Sequence, residues 1–210
     1  EDRQLTSVKF NQDTGLPLAT VINAESSDIL GLEVETVWLP LPNLQLTANF
    51  TLNDGDIKTF DDTRIVVGGT GEELGLDCVA LDGGLDVCDV DRSDEDLPRL
   101  AKYSYYLSAQ MLFQVGDGML VPQVSYSYRD GVEYCQDRGS CLSGIYQQDR
   151  KDLAASLTWS NDTWRVRLWG QNLTDERHIA GGQFITDVMG TEAGVYNLPR
   201  TYGLDLGISF

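Results

Sequence analysis

The chain has no run of about 18 apolar residues, so no helix of membrane-crossing length is present. It has one histidine, His178, and four cysteines in 210 residues. It contains no G-x-S-x-G elbow, no Walker loop and no H-E-x-x-H pair. Few nucleophile–base combinations remain, and an enzyme is not expected. Basic residues are scarce, 15 against 33 acidic, for a formal charge of −18. That balance argues against general nucleic-acid affinity, which needs a basic footprint. No segment shows a 3.6-residue apolar period, so helices are not expected. No signal peptide opens the chain. Glu1-Asp2-Arg3-Gln4-Leu5 reads as the middle of a longer polypeptide, and the sequence is expected to be mature, trimmed or partial.

What is present is alternation. In Tyr202-Gly203-Leu204-Asp205-Leu206-Gly207-Ile208-Ser209-Phe210, the residues Tyr202, Leu204, Leu206, Ile208 and Phe210 share one face and the small or polar residues the other. The same pattern recurs over Leu32–Trp38, Leu44–Asn53, Tyr103–Val115, Leu120–Arg129, Leu153–Ser160 and Trp164–Leu168. These segments predict an all-β, antiparallel chain. Alternation alone does not say which face is inside, but the polar face carries Glu, Arg, Asp and Gln, which suits a wide hydrated interior. The strand expected from Arg99 to Val115 is far longer than the usual five or six residues or so and meets the roughly 9–11 of a membrane strand. Aromatics gather near strand ends, as membrane-interface girdles require. Connections alternate between tight (Leu39–Asn43, Gly116–Gly118, Ser160–Thr163) and long (Asp61–Pro98, Gln136–Ile145, Thr174–Pro199), as periplasmic turns and external loops do. An antiparallel transmembrane β-barrel is the expected architecture, in the bacterial outer membrane and in contact with membrane lipid.

Cys78 and Cys88 bracket one loop segment, and Cys135 and Cys141 another. Of the three pairings that four cysteines allow, neighbour pairing closes a short loop at each predicted strand tip. Disulfides imply an oxidising compartment. Zinc is not expected, because the spacings are wrong and the lone histidine is remote. Asp86, Asp89, Asp91, Asp94 and Asp96 form an acidic cluster whose oxygens suit calcium. An EF-hand's Gly and terminal Glu are missing, however, and a solvated acidic loop is the plainer reading. No cofactor is required; calcium is the one candidate.

Four stretches in order carry a family resemblance. They are Ile29–Glu35 followed by Trp38-Leu39-Pro40 and Leu44-Gln45-Leu46, then Leu97-Pro98-Arg99, then Gly170-Gln171-Asn172-Leu173-Thr174-Asp175-Glu176, and finally Asn197–Gly203 with the Phe210 terminus. Together they resemble the carboxy-terminal part of a TonB-dependent outer-membrane receptor, over residues 1–210. The resemblance implies about eight strands closing a plugged barrel of about 22, with the plug domain not present in this chain. It implies TonB-energised uptake of a scarce ligand: a siderophore, a cobalamin, haem or an oligosaccharide. It also implies partnership with the TonB complex through the plug, and with the barrel-assembly machinery through the terminal strand.

Other residues have plainer readings. Glu33 and Glu35 share a face as hydrated wall carboxylates. Arg165 and Arg167 are expected to pair with acids on neighbouring strands. His178 reads as an exposed loop histidine, and Trp169 as a lumen-facing ring packed against a plug. Two other architectures fit the alternation. One is a self-contained small outer-membrane barrel with a structural or adhesive role. The other is a soluble barrel with an apolar interior, which would point Leu204, Leu206 and Ile208 inward. Leu206→Asp separates the soluble barrel from a membrane wall: it should be tolerated near a membrane interface and should abolish folding in a packed soluble core.

Overall fold

The structure, a computed structural model, describes residues 3–10, 17–24, 26–67, 75–81, 84–91, 93, 97, 99–132, 148–185 and 191–210. Fifteen strands follow in chain order: β1 (Arg3–Phe10), β2 (Pro17–Ala24), β3 (Ser26–Leu41), β4 (Leu44–Thr59), β5 (Asp61–Val67), β6 (Asp77–Leu81), β7 (Leu85–Asp91), β8 (Tyr103–Met111), β9 (Phe113–Val115), β10 (Gly118–Arg129), β11 (Arg150–Ser160), β12 (Trp164–Gln171), β13 (Ile179–Ile185), β14 (Thr191–Tyr196) and β15 (Thr201–Ile208). No helix occurs among the described residues.

The main sheet runs β3-β4-β8-β10-β11-β12-β15, every pairing antiparallel, with β9 also on β10. β8 and β9 occupy one position. Both pair with β10 in a single register, Gln110 opposite Gln123 and Phe113 opposite Leu120. The interruption at Leu112 lies beside Pro122, which has no N–H to give the ladder. Eight strands therefore make seven positions. The sheet does not close: among the described residues β3 and β15 are its two edges.

The three tight connections gather at one end. In the β9–β10 turn, Gly116 takes φ 65°, the backbone that a two-residue hairpin needs at its first central position. In the β11–β12 turn, Asn161 Oδ1 accepts from the N–H groups of Thr163 (3.0 Å) and Trp164 (2.7 Å). Asn161 Nδ2 also donates to Asp117 of the neighbouring turn at 2.8 Å. Ser209 N–H donates to Thr163 O at 2.8 Å, so the chain ends on this side.

The long connections leave the opposite end and contain structure that sequence alternation did not reveal. The stretch expected as a loop from Asp61 holds a three-stranded sheet, β5-β7-β6, and the last connection holds the β13–β14 hairpin. The strand expected from Arg99 begins instead at Tyr103. Arg99 has φ 63°, a turn conformation that no strand contains. It follows Leu97, which is buried with Ile57 and Phe60 in the one apolar core cluster found among the described residues, with the partly buried Leu100 packed against it. Gly55 lies beneath that cluster, where a Cβ would come within 2.7 Å of Leu100 Cδ2. The core thus sits where the long connections fold back, and among the described residues the seven-position sheet contributes to it only Ile57, near the end of β4.

Candidate functional site

The register of the main sheet keeps like faces together across every strand. Val34, Phe50 and Tyr105 are successive partners, as are Leu46, Ala109 and Val124. Farther along, Leu157, Leu168 and Leu204 line up, followed by Val166 with Leu206 and Trp164 with Ile208. Nothing among the described residues covers this apolar face: Val124 is 46% exposed, Leu204 57%, Leu206 70% and Ile208 50%. A soluble protein rarely leaves a patch of more than a few hundred Å² bare. Leu204, Leu206 and Ile208 are exposed on this face and are not packed in a core of the described residues.

Aromatic rings bound the face. Towards the long connections, Tyr128 stacks on Tyr103 and Tyr105 with centroids 5.5 and 5.1 Å apart. At the tight-turn end stand Phe113, Trp164 and Trp159, whose indole N–H donates to Val115 O at 3.2 Å. Leu120 and Tyr128, at the two ends of this band, are eight residues apart on β10, about 27 Å along a strand and about 20 Å at a typical membrane tilt.

The opposite face is polar. Gln45 bonds Gln110 at 3.1 Å, and Gln123 bonds Ser108 at 3.2 Å. A hollow of about 430 Å³ opens here, bordered by Tyr106, Gln123, Arg167, Trp169 and Asp205. Trp169 donates its indole N–H to Asp205 at 3.2 Å, and Arg167 lies 3.8 Å from the same carboxylate. Arg167 thus has its expected acid on a neighbouring strand; Arg165 stands opposite Gly207 with no ion pair among the described residues. The Trp169 ring lies against Gly203, where a Cβ would clash with the indole. Gly203→Ala is expected to lever the indole off the wall and cost about 1–3 kcal/mol. Urea unfolding and a shift in the Trp emission spectrum would check this; an unchanged spectrum would count against the contact.

The outer rim is ordered by one side chain. Asn172 is 5% exposed with φ 48°. Its Nδ2 donates to Glu176 O (3.0 Å) and Leu198 O (3.1 Å), and its Oδ1 accepts from Glu176 N–H (2.9 Å). Arg200 N–H donates to Asp175 at 3.1 Å, and Asn197 Oδ1 accepts from His178 N–H at 3.0 Å. These bonds tie the segment after β12 to the entry of β15.

His178, expected to be exposed, is 7% exposed. It lies under the rim because Asn197 holds its backbone and Arg150 covers its ring, donating Nε–H to His178 Nε2 at 2.9 Å. Burial first, then the charges of Arg150 and Arg129, hold the imidazole below its ordinary titration range, against Asp152 and Glu176. The folded state thus binds its proton less readily than the unfolded chain. The contribution is intact above about pH 6.5 and is lost as pH falls through the lowered folded value. Hydrogen exchange over 172–179, corrected for intrinsic rate, is expected to quicken between neutrality and about pH 5; unchanged protection would contradict it.

The Cys78–Cys88 bond joins directly opposite residues of β6 and β7. Cys135 and Cys141 lie outside the described residues. Asp86, Asp89 and Asp91 stand on β7, where strand alternation sends Asp86 to the face opposite Asp89 and Asp91; Asp94 lies outside the described residues. Among the described residues no three acid, His or Cys side chains converge to hold a metal ion. Tyr202, Leu204, Leu206 and Ile208 lie on the apolar face of β15, and Phe210 follows it. Arg129 and Arg150 went unnoticed in the sequence, since only the β10–β11 register sets them opposite each other.

No family model and no curated protein matches the chain. Among solved structures, its fold is similar to that of the ferric yersiniabactin uptake receptor FyuA from Yersinia pestis. The TM-score is 0.66 at 18% identity, over 91% of this chain and 25% of that one. The chain therefore spans about a quarter of that receptor's length. At this identity the likeness is one of fold.

Proposed function

We propose that the chain is the closing part of the wall of a TonB-dependent outer-membrane receptor that takes up a scarce ligand. The observation that carries this reading is the bare apolar face, continuous over seven positions and backed by a polar one. Lipid is the solvent that such a face needs, and a hydrated lumen or plug is what its reverse needs. The open edges at β3 and β15 favour a share of a larger wall over a self-contained small barrel, whose first and last strands would pair. The plug, and TonB acting through it, belong to the rest of the polypeptide. The terminal strand with Phe210 would be presented to the barrel-assembly machinery. A ferric siderophore is the first ligand class to try, because the receptor of similar fold takes up ferric yersiniabactin.

The test is the intact mass of the native polypeptide from isolated outer membranes, with sequencing upstream of Glu1. A chain several times longer, with a globular domain ahead of the strands, is the expected result. A mature polypeptide beginning near Glu1 that is fully functional alone would overturn the proposal.

A further inference from the structure

We infer that the open edge of β3 is the docking edge for the stretch of polypeptide immediately upstream of Glu1, paired antiparallel in the register that β1 and β2 already set. This rests on the receptor reading, which supplies that stretch.

β4 holds one side of β3 from Ser26 to Leu41. Along the other side no strand pairs among the described residues, so a row of backbone N–H and C=O groups stands bare. From Ser27 to Trp38 neither a proline nor a register shift blunts this edge, although a sheet that ends in solvent uses such devices. In hydrocarbon an unpaired edge is costlier still, because no water can serve its backbone. The side chains are bare as well. Trp38 is 60% exposed, while its partner Leu46, flanked on both sides, is half-buried.

The path of the chain selects the occupant. β1 pairs with β2 one for one, from Phe10 opposite Pro17 to Arg3 opposite Ala24. Only Glu25 separates β2 from β3 in sequence. The polypeptide that leads into β1 therefore arrives beside the start of β3 and runs opposite to it. It reaches the open edge with no connecting loop, as sequential strands commonly do. β1 and β2 then form the projecting tip of one long hairpin whose lower part is wall.

The register predicts what those residues are. Partner numbers in β1 and β2 add to 27, as 3 with 24 and 10 with 17. Continued without a slip, the sixth, eighth and twelfth residues upstream of Glu1 face Leu32, Val34 and Trp38. The seventh and ninth face Glu33 and Glu35. Directly opposed residues share a face of the sheet. The sixth, eighth and twelfth are thus apolar. The seventh and ninth are polar, with a Lys or Arg between them to answer two exposed carboxylates that have no ion pair among the described residues.

The experiment uses the intact receptor in isolated outer membranes. Sequencing upstream of Glu1 reads the alternation. Val34→Cys is then combined with a cysteine at the eighth upstream residue, and Glu35→Cys with one at the ninth. Neighbouring antiparallel pairs alternate between about 4.5 and 5.5 Å in Cα separation, and a disulfide spans both. After mild oxidation, peptide mass spectrometry shows which cysteines have joined, the native ones included. Val34→Cys with a cysteine at the fifth or the eleventh upstream residue is the off-register control. The matched pairs should give at least about tenfold more product, because a three-residue offset adds about 10 Å along the strand, beyond disulfide reach. Val34→Cys alone, inserting normally, guards against a folding defect. Equal or greater product off register, or none at either matched pair in a normally inserted receptor, would overturn the inference and leave the receptor reading standing. If the native polypeptide begins near Glu1, the receptor reading beneath it fails instead.

Discussion

Val124→Arg is expected to destabilise the membrane-inserted protein by about 2–4 kcal/mol, whereas Ser125→Arg, one residue later, should be nearly neutral. In water the ranking would carry little weight, because Val124 is already 46% exposed and exposed substitutions usually change stability by less than about 0.5 kcal/mol. The difference arises from the solvent. Val124 lies in the middle of β10, between the Leu120 and Tyr128 levels, with Ala109 and Ala155 as its strand partners. On the proposed membrane wall, a guanidinium there must be carried into hydrocarbon. Ser125 points the other way, towards Ser108 and Ala154 on the polar face, where water or a polar plug can receive the charge. Reversible unfolding in urea from lipid vesicles would measure both. Equal small effects would remove the membrane from the account, and equal large ones would mean that both faces are packed. Leu206→Asp belongs to the same series: it is nearer the tight-turn end, opposite Val166, and should cost less than the arginine at position 124.

Asn172→Ala should be comparably damaging, at roughly 2–4 kcal/mol. The substitution strands the Glu176 N–H that the amide serves, at about 1–3 kcal/mol when buried, while Leu198 O and Glu176 O keep Asn197 Nδ2 as a donor. It also leaves alanine at φ 48°, where a Cβ is disfavoured and Asn is among the few tolerant residues. Asn172→Asp keeps the acceptor and the backbone preference but loses both donors, and should fall between. The thermal midpoint of the folded-to-unfolded gel shift would order the three proteins. Asn172→Ala indistinguishable from wild type would mean that the rim holds together without this node.

Side-chain period made the apolar face legible, because Leu204, Leu206 and Ile208 need only their spacing to share a side. The tight turns were legible for the same local reason: Gly116 and Asn161 have turn chemistry of their own. Cys78 and Cys88 were close enough in sequence to pair by proximity. What escaped notice depends on register after a long excursion. Arg150 meets His178 across 28 residues, and no local rule brings them together. β5, β6 and β7 lie in a stretch rich in Asp and Gly, which reads as loop because strand propensity there is low and pairing supplies what propensity lacks. Arg99 looked extended because the alternation beyond it is so regular, yet burial of Leu97 turns the chain before Tyr103.

The merging of β8 and β9 into one position decides a matter of parity. Seven antiparallel crossings are an odd number, so β3 and β15 run in the same direction, both ending at the tight turns. Around a closed antiparallel ring, directions must alternate without a fault, which only an even count allows; bacterial single-chain barrels obey this. The seven therefore cannot join end to end as an antiparallel ring. Any wall that completes them in that manner must contribute an odd number of further strands, the first and the last of them both running opposite to β3 and β15.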